Sequence, residues 1–253
     1  AYFSSVQFTG HSIHYPMPLM YSYNDKKLRL PTIEKFMSLG RGSVYEETMK
    51  YDMELCSSWS CCDIPVFYFA YNMANYFHFV YDTLPYLYTY FDGKKIHPDL
   101  KLLVSPAEGK DDLYPFVWET LELLGITRDD VIFLRKDVIY NYVLVGSSLT
   151  HGGLSEKPPH RFTFDIINRL TGEYMGPERV YISRRTWTHN NLDNIGTNYT
   201  ERRRCMNEDQ MMQTFSLHGF EEIFCENLTM RDKIGIFSSA KYVAGPIGGG
   251  MAN

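Results

Sequence analysis

Strand-length apolar runs alternate with helical patterns from residue 64 onward, and this alternation restricts the fold more than any other feature of the chain. Residues 64–70 (IPVFYFA) form the first run, and residues 75–90 then repeat apolar side chains at helical spacing until Gly93, where we expect the helix to stop. Further strands are predicted at 100–104, 131–134 and 138–146, and a helix at 113–125. This order predicts an α/β fold whose first unit contains a largely parallel sheet.

The second half of the chain shows the same alternation. A helix is predicted at 162–170, and strands are predicted at 179–183, 221–225 and 241–245. Between them, one helix is expected to begin at Asn207, with Gln210 completing a capping box, and to end at Gly219; the other begins with a capping box of Thr229 and Asp232. Strand, helix, strand, helix, strand is the order of a Rossmann-like half.

A boundary between two lobes is predicted at residues 151–160 (HGGLSEKPPH), which have the Gly, Pro and polar composition of a linker. We therefore divide the chain into an N-terminal α/β lobe, residues 1–150, and a C-terminal lobe, residues 151–253. The 253 residues are enough for two modest cores. The first 60 residues are irregular in pattern, and we expect them to form loops and short elements that cover the first lobe.

Composition excludes several classes of partner. The net charge of −5 provides no long-range attraction to nucleic acid or to an anionic membrane. No apolar stretch approaches the roughly 20 residues that cross a bilayer, and residues 1–10 lack the pattern of a signal peptide. The five cysteines include no C-x-x-C pair, which indicates reduced thiols rather than a zinc site. We therefore expect a soluble, cytoplasmic protein.

Three polar residues, Asn75, His78 and Asp82, stand three and four residues apart in the first predicted helix. That spacing places them on one helix face, where His78 or a partly desolvated Asp82 can take a proton from a substrate hydroxyl. Asp82 can equally fix the tautomer of His78. The alternative is a buried, hydrogen-bonded histidine with a structural role only.

Arginines gather after the strand at 179–183. Ser183, Arg184 and Arg185 follow its carboxyl end, the edge where ligands bind in open α/β sheets, and residues 202–204 add three more arginines just before Asn207. A guanidinium pairs bidentately with phosphate oxygens, so these side chains can hold a diphosphate and stabilise its charge as it leaves. The alternative is a solvated basic loop.

A glycine-rich turn, AGPIGGGMAN, follows the last predicted strand. Gly245 and the three glycines at 248–250 allow backbone amides to approach a phosphate closely, although a simple tight turn explains them about as well. We find no D-x-D pair to anchor a metal, and no G-x-S-x-G or H-E-x-x-H motif of common hydrolases. With arginines to neutralise a diphosphate, no metal or other cofactor is required.

Taken in order, these motifs resemble glycosyltransferase family 61 from about residue 70 to the end of the chain. The resemblance rests on N-x-x-H-x-x-x-D from Asn75, S-R-R from Ser183, R-x-x-N-E from Arg204, GFEEI from Gly219 and the final glycine-rich turn. It implies a GT-B architecture, two Rossmann-like lobes around a cleft, and inverting transfer from a UDP-sugar to a glycan or glycoprotein acceptor.

The resemblance also implies residue roles. His78 or Asp82 would act near the acceptor hydroxyl, with Asn75 on the acceptor side. The donor would be bound by a larger set in the C-terminal lobe: Ser183, Arg184, Arg185, Arg204, Asn207, Glu208, Gly248, Gly249, Gly250 and Asn253.

Family members continue beyond the glycine-rich turn, so we expect a shortened donor lobe in a chain that stops at Asn253. The chain resembles short soluble members from microbes and large viruses, which favours the cytoplasm, that of the host if the protein is viral. Xylose is the favoured sugar and N-acetylglucosamine the next. Two alternatives stay open: a non-catalytic glycan- or nucleotide-binding module of the same fold, and a different Rossmann-type enzyme with another phosphorylated ligand.

Overall fold

Three sheets and six α-helices make up the part of the chain that the structure, a computed structural model, describes. That part comprises residues 60–70, 73–107, 109–135, 137–146, 149–150, 158–170, 176–185 and 205–252, together with the backbone of four short strands among residues 2–28. The mixed α/β class with parallel sheets, predicted from the alternation of patterns, is confirmed.

The first sheet is the centre of the main core, and its strand order is β1-β10-β6-β7-β8. All neighbours are parallel except the edge strand β1, which pairs antiparallel with β10. The strands are β1 (Tyr2–Phe3), β6 (Val66–Tyr68), β7 (Lys101–Val104), β8 (Val131–Phe133) and β10 (Val143–Leu144). All three residues of β6 are fully buried, as expected for a central strand covered on both faces.

A second sheet has the order β4-β3-β2-β9-β5. It contains β2 (Val6–Thr9), β3 (Leu19–Ser22), β4 (Lys27–Leu28), β5 (Ser60–Cys62) and β9 (Val138–Tyr140). The short elements expected in the first 60 residues are therefore strands where the structure describes them.

The single strand predicted at 138–146 is wrong, because β9 and β10 belong to different sheets. The chain crosses between the sheets at Asn141, whose backbone N–H donates to Cys62 O at 2.9 Å and whose side chain donates to Asp63 at 2.6 Å. Tyr142 O then accepts from Val66 N at 2.9 Å, which starts the pairing with β6. A polar residue in an apolar run marks this change of sheet.

The segment from Tyr76 to Ile96 is helical throughout but does not form one regular helix. It consists of α1 (Tyr76–His78), a π-helical turn (Phe79–Thr83), a 3-10 turn (Leu84–Tyr86) and α2 (Leu87–Ile96). Pro85 lacks an N–H and its ring clashes with the preceding turn of a regular helix, which accounts for the change of hydrogen bonding here.

Gly93 does not end this helical segment, contrary to the sequence prediction, because α2 continues to Ile96. A Cβ at Gly93 would lie 2.7 Å from Leu144 Cδ2 and 3.1 Å from Leu100 Cδ2. The glycine therefore serves close packing of α2 on the sheet rather than termination.

The third sheet confirms the predicted order of strands and helices in the second half. Its order is β12-β11-β13, and β11 pairs parallel with both neighbours. The elements are β11 (Arg179–Ile182), α5 (Glu208–Leu217), β12 (Glu221–Ile223), α6 (Met230–Ser239) and β13 (Tyr242–Ala244).

The helix ends of this half match the prediction in two of three places. Gly219 takes a positive φ of 76° just after α5, and Thr229 with Asp232 forms the capping box of α6. Asn207 precedes α5 as predicted, but its side chain makes no capping hydrogen bond, so the predicted capping box with Gln210 is absent. Asn207 Oδ1 instead accepts from Cys205 Sγ at 3.3 Å.

Contacts join the two halves of the chain. The helices α3 (Pro115–Leu123) and α6 pack together, and Glu119 Oε2 accepts from Met230 N at 2.6 Å. Helix α4 (Arg161–Leu170) packs on α2, and Ile166 is fully buried in the main core. Residues 151–157 of the predicted linker lie outside the described residues, and the division at residue 150 stays a prediction.

Candidate functional site

Arg184 lies against the glycine-rich turn at the carboxyl end of β11. Its Nη1 donates to Ile247 O at 3.2 Å, and a methyl group placed on Gly248 would overlap this nitrogen. Gly250 is also closely packed, since a Cβ there would lie 3.0 Å from Ile182 Cγ2 and 3.4 Å from Cys225 Sγ. The glycines therefore allow the turn to approach the strand end and leave room for a guanidinium.

Glu208 holds the backbone of Arg184 in place by a hydrogen bond. The Glu208 side chain is buried, and its Oε1 accepts from Arg184 N at 2.8 Å and from the Tyr181 hydroxyl at 3.4 Å. Burial, and then the negative charge of Glu208, raise the pKa of Tyr181, so this hydroxyl stays protonated and can donate. In this structure Glu208, expected at the donor, contacts the protein's own strand end.

Arg185 points its guanidinium at carboxylates of the same unit. Its Nε and Nη2 donate to both oxygens of Glu222 at 2.8 and 2.5 Å, and its Nη1 donates to Asp209 at 2.5 Å. These two acidic partners raise the pKa of Arg185. The buried Ser183, just before it, accepts from Arg185 N at 3.2 Å. Arg184 and Arg185 thus have different surroundings despite being neighbours.

His78 and Asp82 form a close pair on the other side of the site. His78 Nδ1 lies 2.6 Å from Asp82 Oδ2, and the side chains are 28% and 18% exposed, so the pair reaches solvent. Asn75 precedes α1, and its Oδ1 accepts from His78 N at 3.4 Å. Asn75 therefore orders the backbone that carries His78.

The glycine-rich turn joins the two sides. The 3-10 turn Gly249–Ala252 packs on α1, where Phe77 N lies 4.0 Å from the Cβ position of Gly249. Since Gly248 touches Arg184 and Gly249 touches the helix that carries His78, one turn of chain separates the guanidinium from the imidazole-bearing helix. Among the predicted site residues, the structure thus shows Arg184 and the helix of His78 in contact with the same glycine-rich turn.

A cluster of ionisable residues next to this turn, the buried Cys225 and Lys233 and the half-buried Glu226, was missed by sequence reasoning. Burial raises the pKa of the Cys225 thiol to about 12, raises the pKa of Glu226 and lowers the pKa of Lys233. The Lys233 ammonium lies 4.4 Å from the ring centroid of Tyr76, on α1. Lys233 stands three residues after the apolar Met230, and this spacing could have indicated that both side chains lie on the inner face of α6.

Two predicted donor residues, Arg204 and Asn253, lie outside the described residues. Among the residues that are described, no group of three or more His, Cys, Asp or Glu side chains could hold a metal ion. No helix in that part of the chain is long and apolar enough to cross a membrane.

A parallel α/β unit with an arginine and a glycine turn at a strand end, opposite a histidine–aspartate pair, has the parts of an enzyme that acts on an anionic ligand. Residues 76–253 match the model of the Glycosyltransferase 61 family, and this match covers well over half of the chain. The chain belongs to glycosyltransferase family 61, which confirms the resemblance inferred from the motifs and implies a sugar donor and an acceptor. No curated protein shows a significant match to the chain.

Proposed function

We propose that this glycosyltransferase transfers a sugar from a UDP-sugar to a hydroxyl of a glycan acceptor, with inversion and without a metal ion. The observation that carries the proposal is the glycine-rich turn, which contacts Arg184 on one side and the helix of His78 on the other. This arrangement suits a GT-B cleft, with the donor bound by the C-terminal lobe and the acceptor facing the N-terminal lobe.

Arg184 is the donor-side cation of the proposal. As the bond between sugar and diphosphate breaks, negative charge grows on the leaving phosphate oxygens, and a fixed guanidinium lowers the barrier. Glu208 holds the Arg184 backbone at 2.8 Å and Ile247 O accepts from its Nη1 at 3.2 Å, so the guanidinium is already directed at the turn before the donor binds. Because Arg184 supplies positive charge here, the chemistry does not need a divalent ion.

Arg185 has a structural role in the proposed site and does not contact the diphosphate. Its bidentate contact with Glu222 and its contact with Asp209 tie the start of the loop after β11 to β12 and α5. We assign it the task of fixing the strand end, with Arg184 and the glycine amides contacting the diphosphate.

His78 is the proposed base. Asp82 accepts from Nδ1–H, which leaves Nε2 as the ring nitrogen that takes the proton from the acceptor hydroxyl. The oxygen of that hydroxyl then forms the new bond at the anomeric carbon while UDP departs from the opposite face. A single displacement of this kind inverts the configuration. Xylose is the sugar we favour, with N-acetylglucosamine next, on the resemblance to short family members.

The test is UDP release from UDP-xylose and UDP-N-acetylglucosamine with a panel of glycan acceptors, in buffer with EDTA. The wild-type protein is expected to release UDP, and His78→Ala and Asp82→Ala are expected to lower turnover by about 10²- to 10⁴-fold with UDP affinity retained. Phe164→Ala, at an exposed position of α4, is the control variant.

The proposal fails if the wild-type protein neither binds UDP nor releases it from any UDP-sugar. UDP binding without turnover in the wild-type protein would instead indicate a non-catalytic module of the same fold. Turnover that requires a divalent ion and stops with EDTA would contradict the metal-independent mechanism.

A further inference from the structure

Phe77 is a partly exposed aromatic residue directly beside the proposed base. It lies in α1 between Tyr76 and His78, and 40% of it is exposed, whereas Phe79 two residues on is fully buried. Single exposed apolar residues are common on protein surfaces, so exposure alone says little. The position and fixed orientation of this ring are what distinguish it.

The Phe77 ring is held by its neighbours at a defined angle to the imidazole. It stacks on the Tyr81 ring with centroids 5.7 Å apart and an interplanar angle of 20°. The His78 ring lies nearly perpendicular to it, with centroids 5.3 Å apart and an interplanar angle of 82°. An aromatic stack of this kind restricts the ring without covering both of its faces.

The surroundings of Phe77 extend the apolar surface towards the donor side. Its backbone N lies against Gly249 in the glycine-rich turn, and that turn carries two exposed apolar residues, Ile247 at 78% and Met251 at 43%. Exposed apolar side chains at the rim of an enzyme site suit a ligand that has an apolar face.

A sugar ring is such a ligand. A pyranose presents C–H groups on one face and hydroxyls around its edge, and the electron-rich face of an aromatic ring attracts those C–H groups. Because the Phe77 and His78 ring centroids are only 5.3 Å apart, a sugar stacked on Phe77 would have its hydroxyl edge close to the imidazole, as proton transfer over roughly 3 Å requires. Resting on the proposed role of His78 as base, we infer that Phe77 binds the acceptor by stacking against its reacting sugar ring.

The experiment compares Phe77→Ala with Phe77→Trp, which keeps an aromatic face. Phe164→Ala is the matched control, since Phe164 is 52% exposed on α4. Each protein is bound to UDP and applied to a printed array of xylan, mannan and N-glycan fragments, and its UDP affinity is measured separately. For the best glycan of the wild-type protein, Phe77→Ala is expected to weaken binding at least tenfold, while Phe77→Trp and Phe164→Ala stay within about threefold.

UDP affinity distinguishes failure of this inference from failure of the proposed function. Unchanged glycan binding in Phe77→Ala, or no glycan retained by a wild-type protein that binds UDP, overturns the acceptor role of Phe77 alone. Weaker UDP binding in Phe77→Ala would assign the ring to the donor instead and equally overturn it. A wild-type protein that does not bind UDP contradicts the proposed function itself.

Discussion

Gly248 and Gly249 are adjacent glycines with different surroundings, which makes them a matched pair for testing Arg184. A methyl group on Gly248 would overlap Arg184 Nη1, whereas on Gly249 its nearest contact is Phe77 N at 4.0 Å. Because the end of an arginine side chain moves easily, Gly248→Ala is expected to displace the guanidinium at little cost in stability. We expect UDP affinity, measured by calorimetric titration, to fall about tenfold in Gly248→Ala and to change little in Gly249→Ala, because Gly249→Ala keeps the backbone N–H and leaves Arg184 in place.

Equal UDP affinity in the two variants would show that the guanidinium does not contact the diphosphate. A large drop in the unfolding midpoint of Gly248→Ala would instead show that the turn itself has rearranged, so the midpoint is recorded for both proteins.

The carboxyl group of Glu226 is expected to make the stability of the protein depend on pH. Its Oε1 is buried with no hydrogen-bond partner among the described residues, and burial raises its pKa despite the nearby charges of Arg184 and Lys233. A raised native pKa means that the native state holds this proton more tightly than the unfolded chain does. The protonated Glu226 side chain therefore favours the native state at acid pH. This contribution to the free energy of unfolding is lost as the pH rises through the native pKa.

Glu226→Gln is accordingly expected to raise the urea midpoint at pH 7.5 and to change it little near pH 4, where both side chains are neutral. Glu221→Gln, at an exposed site, serves as the control. A lower midpoint for Glu226→Gln at pH 7.5 would show that the carboxylate stabilises the fold through Arg184 or Lys233.

The sequence predicted which types of residue form the site better than it predicted the role of each residue. The S-R-R motif indicated an anion site, but nothing in it distinguishes Arg184 from Arg185. The difference arises because Glu222, on the neighbouring strand, and Asp209, in the next helix, meet Arg185 only after β11, β12 and α5 have assembled.

At the scale of elements, the two helices of the C-terminal half begin differently. Thr229 Oγ1 accepts from Asp232 N at 3.1 Å, whereas the Asn207 side chain caps nothing. Thr229→Ala is therefore expected to lower the free energy of unfolding by about 1 kcal/mol, and Asn207→Ala by much less. Urea unfolding followed by circular dichroism measures both; similar losses would contradict the assigned caps.

Strands and helices were predictable where periodicity alone decides them, as in β6, β11 and α6. Prediction failed where contacts distant in sequence decide the structure. The run at 138–146 contains enough apolar residues for one strand, yet Asp63 and Cys62 bind Asn141 and direct the chain to a second sheet. Likewise, Gly93 resembles a helix stop but is required by the packing of Leu144.

At the scale of the whole molecule, a hydrogen bond joins the two halves near the site. Glu119 on α3 accepts the first N–H of α6, from Met230, at 2.6 Å. Glu119→Ala should lower the free energy of unfolding by about 1–3 kcal/mol, since a charged acceptor is lost from a helix N-terminus. Glu122→Ala, exposed on the same helix, is the control. Equal losses would mean that this contact does not stabilise the assembly of the two halves.

The family match covers residues 76–253, which include α1 with His78, the strand end with Arg184 and the glycine-rich turn. Motif order in the sequence was sufficient to predict the family and to name these groups. It could not predict that the turn contacts both of them, because that depends on the packing of β11, α1 and α6.

The central claim is that Arg184 binds the donor while His78 acts on the acceptor. Thermal stabilisation by UDP, compared among the wild-type protein, Arg184→Ala and His78→Ala, tests this claim most directly. A ligand that binds only the native state raises the unfolding midpoint according to its affinity. We expect UDP to stabilise the wild-type protein and His78→Ala equally and Arg184→Ala far less. Equal stabilisation of Arg184→Ala and the wild-type protein would contradict the account.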